Sequence, residues 1–184
     1  MQSNSNGPQN REPGKETDTQ TAGNRMIMIA WIIAIALLTT IFGSWEDKQI
    51  NPNSAPDTYQ TQNGVEVTLQ RNRYGHYLVS GTVNHQDAIF MLDTGATLVA
   101  IPGEIQQELG LISGQSHYTH TANGTAKAYY TVIDRLTIGD IVIRDVKASI
   151  VPNMEGRQIL LGMSVLKELE FTQKGKQLTL RQVY

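Results

Sequence analysis

The sequence predicts one membrane-spanning helix followed by a small all-β domain, and three observations support this prediction. Residues 26–45 hold no charged side chain, whereas the segments on either side are polar. From Val65 to Tyr184 the chain changes to short apolar or alternating runs separated by turn residues, which is typical of β-strands. In a chain of 184 residues this second region is large enough to bury a core, and all-β domains of its size close into barrels or sandwiches.

The apolar segment is predicted to be a transmembrane helix over residues 25–45. At ~1.5 Å per residue such a helix spans about 30 Å, the thickness of a bilayer core. A cleaved signal peptide is the alternative, but the apolar run exceeds the usual signal core and no clear small-residue cleavage site precedes Trp45. Arg11, Lys15 and Arg25 lie before the span and only Lys48 soon after it, so we expect a cytoplasmic N-terminus.

Two polar segments flank this helix. Residues 1–24 are rich in Gln, Asn, Ser, Gly and Thr, and we predict a disordered cytoplasmic tail there. Residues 46–63 contain prolines and share the polar bias, which predicts a flexible linker. The folded domain is therefore expected over residues 64–184, outside the membrane.

Composition excludes several classes of function. The formal net charge is −2 and no basic block exceeds two residues, so the electrostatic footprint of a nucleic-acid binder is missing. The chain has no cysteine, which excludes disulfides, thiolate metal sites and a cysteine nucleophile. Its 4 histidines are not spaced as a ligand pair on one helix face. We therefore predict no metal site and no cofactor.

Turn residues divide the domain into predicted strands. The runs "HYLVSGTV" and "DAIFMLD" flank Asn84-His85-Gln86 as a hairpin would, and longer runs flank Gly139-Asp140 in the same way. Asn123-Gly124 predicts another hairpin turn. Two short helices are expected, one from near Pro102 to Gly110 and one over Met163–Leu169. The domain is thus predicted to be mostly antiparallel β structure with one or two short helices.

Asp93 is the candidate catalytic residue, because it stands where an apolar strand ends. A charged and unpaired carboxylate at such a place costs several kcal/mol, so either local amides satisfy it or chemistry uses it. Gly95 permits a sharp turn directly after Asp93-Thr94. Four other aspartates lack such a glycine and are expected to be solvated turn residues: Asp87, Asp134, Asp140 and Asp145.

Three segments together resemble the retropepsin-like aspartic proteases, in particular their membrane-anchored bacterial members. The run "HYLVSGTVNHQDAIFMLDTGATLVAIP" looks like the hairpin and catalytic loop of that family. The run "TANGTAKAYYTVIDRLTIGDIVIRDVKASIVP" is similar to the flap and the strands after it, and "ILLGMSVLKELEF" to the closing segment and helix. The resemblance covers roughly residues 64–184 and implies a retropepsin-like closed β-barrel half-domain.

The resemblance also implies roles for individual residues. Asp93 corresponds to the catalytic acid or base, and the active-site loop comprises Thr94, Gly95 and Ala96. The flap candidates are Thr121, Asn123 and Gly124, although an ordinary surface hairpin would give the same pattern. His117 and His120 are expected to be exposed loop residues rather than ligands. Tyr129 and Tyr130 are adjacent on a strand, so at most one of them lines the cleft.

Peptide hydrolysis without a metal or a nucleophile needs two carboxyl groups. One takes a proton from water while the other, protonated, polarises the carbonyl group of the substrate. The chain has one Asp-Thr-Gly and no internal repeat, so the resemblance implies a homodimer in which each copy donates one Asp93. The expected protein is an aspartic endopeptidase acting on a peptide or protein in the periplasm, anchored in the bacterial inner membrane.

Two alternatives and one departure accompany this prediction. The same fold could serve as a non-catalytic module that binds an envelope peptide or protein partner, and Asp93 could be an ordinary turn residue. Retroviral members carry an arginine and an asparagine soon after the glycine that matches Gly162, and this chain does not. The dimer must therefore be braced differently. Leu178 and Leu180 in the last strand are the candidate inter-subunit positions, with an ordinary core strand as the alternative.

Overall fold

The computed structural model describes residues 17–121 and 124–184. One compact unit ends at Ser44 and a second runs over Trp45–Tyr184. Helix α1 spans Thr17–Ile50, a short 3₁₀ helix spans Gly103–Ile105 and helix α2 spans Met163–Leu166. The strands are β1 Asp57–Thr61, β2 Gly64–Gln70, β3 Leu78–Val83, β4 Gln86–Leu92, β5 Val99–Pro102, β6 Ser116–Thr121, β7 Gly124–Ile138, β8 Ile141–Val151, β9 Gln158–Leu161, β10 Glu170–Lys174 and β11 Gln177–Val183.

Helix α1 is longer than the predicted transmembrane segment. Its portion Gly23–Ile50 is long and apolar enough to cross a membrane. Residues 17–24, predicted to be disordered, are helical, whereas residues 1–16 of the predicted tail lie outside the described residues. The helix extends past the apolar segment because each added residue gains a backbone hydrogen bond. The nearest prolines, Pro13 and Pro52, lie beyond the two helix ends and do not interrupt it.

The prediction of a flexible linker over residues 46–63 is wrong. Its first residues complete α1 and its last ones form β1, while Asn51 and Asn53 are buried. The Asn53 amide donates to the carbonyl oxygens of Gln70 (2.9 Å) and Leu78 (2.5 Å) and accepts from the Gln70 N–H at 2.6 Å. The polar residues of this segment include amide groups that bridge β2 and β3. A composition that is typical of linkers therefore belongs here to an ordered part of the domain.

Seven strands form the larger sheet, in the order β3-β4-β9-β5-β8-β7-β6. An additional pairing of Thr82 and Val83 with Thr137 and Leu136 joins β3 to β7 and closes the sheet on itself. The hydroxyl groups of Thr82 and Thr137 are 2.7 Å apart across this seam. The predicted closed barrel is therefore confirmed. Its interior is filled by buried aliphatic side chains around Phe90.

Two strand pairs in this sheet are parallel, which the expectation of mostly antiparallel structure did not anticipate. β4 runs parallel to β9, with Leu92 opposite Leu161, and β5 runs parallel to β8. Parallel neighbours end at the same edge of a sheet. The residues that follow β4 and β9, Asp93 and Gly162, are thereby brought together.

Four strands form the smaller sheet, in the order β1-β2-β11-β10. β11 pairs with β2 along one side and with β10 along the other. Leu178 and Leu180 point into the core, 6% and 0% exposed. The candidate inter-subunit role of these two leucines is therefore wrong, because both edges of their strand are used within the chain.

The turns follow the sequence prediction and the short helices do so in part. Asn84 and His85 both have positive φ, 49° and 71°, as a two-residue hairpin loop requires. Gly139, with φ 55°, joins β7 to β8. The helix expected from Pro102 to Gly110 is a three-residue 3₁₀ helix followed by turns, and α2 ends at Leu166 rather than at Leu169. Each short helix buries only a few side chains.

Candidate active site

Strand β4 delivers Asp93 to the edge of the barrel. Its inward residues Ala88 and Phe90 are buried, and hydrogen bonding to β9 continues through the strand end. The Asp93 N–H donates to the carbonyl oxygen of Leu161 at 3.2 Å. The first residue of the loop is thus held by the last residue of β9.

The loop after β4 fixes one oxygen of the Asp93 carboxylate. The Gly95 N–H donates to Asp93 Oδ1 at 2.8 Å, and the Ala96 N–H donates to the Asp93 carbonyl oxygen at 3.2 Å. A Cβ atom at position 95 would stand 3.1 Å from Oδ1. Glycine is therefore needed here for close approach to the carboxylate.

The segment after β9 holds the Asp93 loop through hydrogen bonds. The N–H groups of Met163 and Ser164 donate to the carbonyl oxygens of Ala96 (2.7 Å) and Thr97 (2.9 Å). The hydroxyl oxygen of Ser164 accepts the Val99 N–H at 3.0 Å. These three bonds fix the β5 end of the turn between β4 and β5, and the bond from Asp93 to Leu161 fixes the β4 end.

Gly162 permits this contact. A Cβ atom at position 162 would stand 2.6 Å from the Ala96 carbonyl oxygen and closer still to that of Leu98. Either distance is below what heavy atoms tolerate, so only glycine allows the two segments to touch. The apolar-apolar-Gly pattern therefore has a steric cause.

The Asp93 loop lies on an open surface. Asp93 is half-buried, whereas Thr94, Gly95 and Thr97 are exposed. Two surface hollows of about 470 and 580 Å³ lie elsewhere, one beside His85 and the other beside Arg157. One copy of the chain thus presents a single carboxylate on a surface that another molecule can cover.

A row of outward-facing side chains runs from β4 across the barrel wall. Register places Met91 opposite Leu160, Leu160 opposite Ala100, Ala100 opposite Ser149 and Ser149 opposite Tyr130. Residues directly opposite each other in a sheet point to the same face. The row begins two residues before the candidate aspartate and forms an extended wall beside it.

The wall ends at the root of the hairpin formed by β6 and β7. The His117 ring stacks on Tyr130 with centroids 3.9 Å apart, and its Nε2 lies 3.3 Å from the hydroxyl oxygen of Ser149. His117 is half-buried in β6, so the expectation that it is an exposed loop residue is wrong. His120 is exposed. Tyr130, rather than Tyr129, faces outward with this cluster.

The tip of the same hairpin lies between Thr121 and Gly124, which are paired. The hydroxyl of Thr121 donates to the carbonyl oxygen of Gly124 at 2.8 Å, and Gly124 has a φ of 110°. Asn123, the third flap candidate, lies outside the described residues. The predicted hairpin is thus present, with its two described candidates at the tip.

Comparison with known proteins identifies the family to which this fold belongs. A family described as "gag-polyprotein putative aspartyl protease" matches residues 79–168. The crystal structure of a retropepsin-like aspartic protease from Rickettsia conorii aligns with a TM-score of 0.56 and 30% identity, over 67% of this chain and 97% of that one. The chain belongs to the retropepsin-like aspartic proteases. The match covers the barrel that carries Asp93.

Two further relatives of this retropepsin-like chain are described as uncharacterized proteins. An uncharacterized protein of Sinorhizobium is 30% identical over 162 residues, which is 82% of this chain and 70% of the relative. An uncharacterized protein of Rickettsia prowazekii is 32% identical over 109 residues, 57% of this chain and 46% of the relative.

Sequence reasoning located the Asp93 loop of this retropepsin-like chain and missed its supports. Four other aspartates are exposed, as expected: Asp87, Asp134, Asp140 and Asp145. Asp134 and Asp145, however, lie inside β7 and β8 rather than in turns. The bond from Val99 to Ser164 and the contact between Ser149 and His117 join segments that are distant in the chain. No local sequence pattern predicts either contact.

Proposed function

We propose that this chain is a membrane-anchored aspartic endopeptidase that hydrolyses peptide bonds between the Asp93 carboxylates of two copies. The observation that carries the proposal is the loop itself. Gly95 holds Asp93 Oδ1 at 2.8 Å on an exposed surface, beside the wall described above. A half-buried carboxylate held by one oxygen in an exposed loop is placed to act on a water molecule.

The chemistry requires two such groups at close range. Two facing carboxyl groups share one proton, since both cannot be ionised at short distance. The ionised one removes a proton from water, and the protonated one donates a hydrogen bond to the scissile carbonyl group. Thr94 is exposed at the loop and can offer its hydroxyl to the loop of the other copy.

A homodimer supplies the second carboxylate. This chain contributes one Asp-Thr-Gly segment, and that segment is uncovered. Retropepsin-like proteases act on peptides and work as dimers. The site therefore lies on a two-fold axis, where each Asp93 faces its own copy.

The cellular location follows from the charge distribution around α1. The basic residues before the apolar span outnumber those soon after it, which favours a cytoplasmic N-terminus. The protease domain then lies on the periplasmic side of the bacterial inner membrane, and its substrates are peptides or proteins of that compartment.

Mixing subunits tests the shared site. At a fixed amount of wild-type chain in detergent, an equal amount of Asp93→Asn is added and allowed to exchange, and cleavage of a diverse peptide library is measured. About a quarter of the dimers then retain both carboxylates, so activity per wild-type subunit falls to about half. Asp87→Asn, an exposed acid away from the loop, is the control: adding an equal amount of it leaves the activity per total subunit unchanged and so doubles the activity per wild-type subunit.

The outcomes separate the candidate functions. Activity that stays proportional to the wild-type chains, despite exchange, contradicts a shared site. A wild-type protein that binds peptides as tightly as Asp93→Asn and cleaves none is the non-catalytic binding module instead.

A further inference from the structure

We propose that the two copies pair through β10, in an antiparallel contact between β10 and β10 of the partner subunit centred on Thr172. This rests on the proposed function, because that function requires a second copy of the chain. The strand Glu170–Lys174 is the edge of the four-stranded sheet. The contact would join two such sheets into one of eight strands.

β10 is the open edge of that sheet. β11 is flanked on both sides, by β2 and β10. At the opposite edge, Thr58 of β1 lies against Gly139 in the turn between β7 and β8. Within the described part of the chain β10 pairs with β11 alone, and all five of its residues are exposed. An unprotected edge strand is a template for another strand.

This edge carries one large apolar side chain, the half-exposed ring of Phe171. Phe171 lies opposite Leu180, a core residue, yet 48% of its surface is exposed. A strand added beside β10 would cover the ring and continue the core side of the sheet. Covering this ring would remove apolar surface from water, which would favour association.

The hydrogen-bonding groups of β10 fit a two-fold pairing. Lys174 lies opposite Gln177 across a two-residue turn at Gly175, so residues 170, 172 and 174 bond to β11. The main-chain groups of Phe171 and Gln173 then face the open edge. With the axis at Thr172, Phe171 meets Gln173 of the partner subunit, and both residues are free to exchange hydrogen bonds.

Charge selects the same register. Around an axis at Thr172, Glu170 lies opposite Lys174 of the partner subunit, and Lys174 lies opposite Glu170 of the partner subunit. Both side chains are exposed, on the face that also carries Thr172. Opposite charges directly across an antiparallel pair stabilise it, and the symmetric contact makes two such pairs.

The edge is also connected to the candidate active site. α2 lies between the two, because its first residues bond to Ala96 and Thr97 of the Asp93 loop and the chain then continues directly into β10. A copy that docks on β10 therefore docks on the strand that directly follows the segment supporting Asp93. Pairing through β11, as the terminal strand suggested, has no free edge to use.

The absence of cysteine gives a direct test. Thr172→Cys introduces the single thiol of the full-length chain, which is oxidised in detergent and examined on a non-reducing gel. At the axis of a non-hydrogen-bonded pair the two Cα atoms are about 4.5 Å apart, within disulfide range. Thr179→Cys, opposite Thr172 on β11, is the matched control: a strand further out, its two copies stand about 14 Å apart.

Charge exchange gives an independent test. Lys174→Glu and Glu170→Lys each place like charges opposite one another twice, and each should raise the dimer dissociation constant by about tenfold. An equimolar mixture of the two variants restores both opposite-charge pairs and should dimerise like the wild type. Lys176→Glu makes the same charge change in the turn, off the edge, and should leave the dissociation constant unchanged.

These two measurements test the β10 dimer contact independently of peptide cleavage. Disulfide dimers of Thr172→Cys but not of Thr179→Cys, together with rescue in the mixture, support the β10 contact whether or not peptides are cleaved. A folded Thr172→Cys chain that stays monomeric on oxidation, while subunit mixing shows a shared site, overturns the β10 contact and leaves the proposed function standing.

Discussion

The backbone at Gly95 shows why the Asp-Thr-Gly loop needs its glycine. A sharp turn suggested that the residue adopts unusual backbone angles, yet Gly95 is not among the glycines with positive φ. Its N–H instead approaches Asp93 Oδ1 at 2.8 Å, and an added Cβ atom would stand 3.1 Å from the same oxygen. The requirement is for space beside the carboxylate, so a larger side chain crowds the candidate catalytic group.

We therefore expect Gly95→Val to lower cleavage by about tenfold or more while the protein stays folded, since the Asp93 carboxylate must shift to admit the added side chain and catalysis is sensitive to such a misplacement. Peptide cleavage and thermal unfolding, measured on the same preparation, check this. Gly43→Val is the control, because a Cβ atom at Gly43 meets nothing within 4 Å. Full activity of folded Gly95→Val would show that the carboxylate tolerates the added group.

At the scale of elements, the sequence predicted what neighbouring residues decide and missed what distant ones decide. The hairpin at Asn84-His85 and the turn at Gly139 follow from local turn chemistry and strand alternation. The parallel pairs and the contacts of Asn53 join segments far apart in the chain, and no local pattern records them. The Asp93 loop was found from its motif, whereas the hydroxyl of Ser164 that supports it was not.

The segment after α1 gives the element-scale prediction. Asn53→Ala removes the amide that joins β2 to β3 and takes the partner from a buried carbonyl group of Leu78 and a part-buried N–H of Gln70. We expect a loss of about 2–4 kcal/mol in the free energy of unfolding, measured by denaturant titration. Asn63→Ala, an exposed asparagine in the turn before β2, should change it by less than about 0.5 kcal/mol. Equal stability of the two variants would mean that residues 46–63 behave as a linker after all.

At the scale of the whole molecule, the apolar helix and the barrel have separate tasks. The helix Gly23–Ile50 meets the length and composition of a membrane span, and the barrel carries the candidate chemistry. Attachment to one membrane would confine both copies to a plane, which would raise their effective concentration and favour the proposed dimer.

Reporter fusions test the orientation. We expect a reporter enzyme that works only after export to be active when fused at Gly64 and inactive when fused at Gly23, because the basic residues precede the span. A cytoplasmic reporter at the same two positions serves as the reciprocal control. Export-dependent activity at Gly23 would reverse the orientation and place the protease domain in the cytoplasm.

The pairing of β2 with β11 has a consequence for the order of folding. These strands are the first and last long ones of the domain, and Val67 and Leu69 are buried opposite Leu180 and Leu178. Contacts between such distant segments are slow to form, because the chain between them must be ordered first. The smaller sheet therefore cannot close until β11 has left the ribosome, and the domain completes its core only after this last strand has been made.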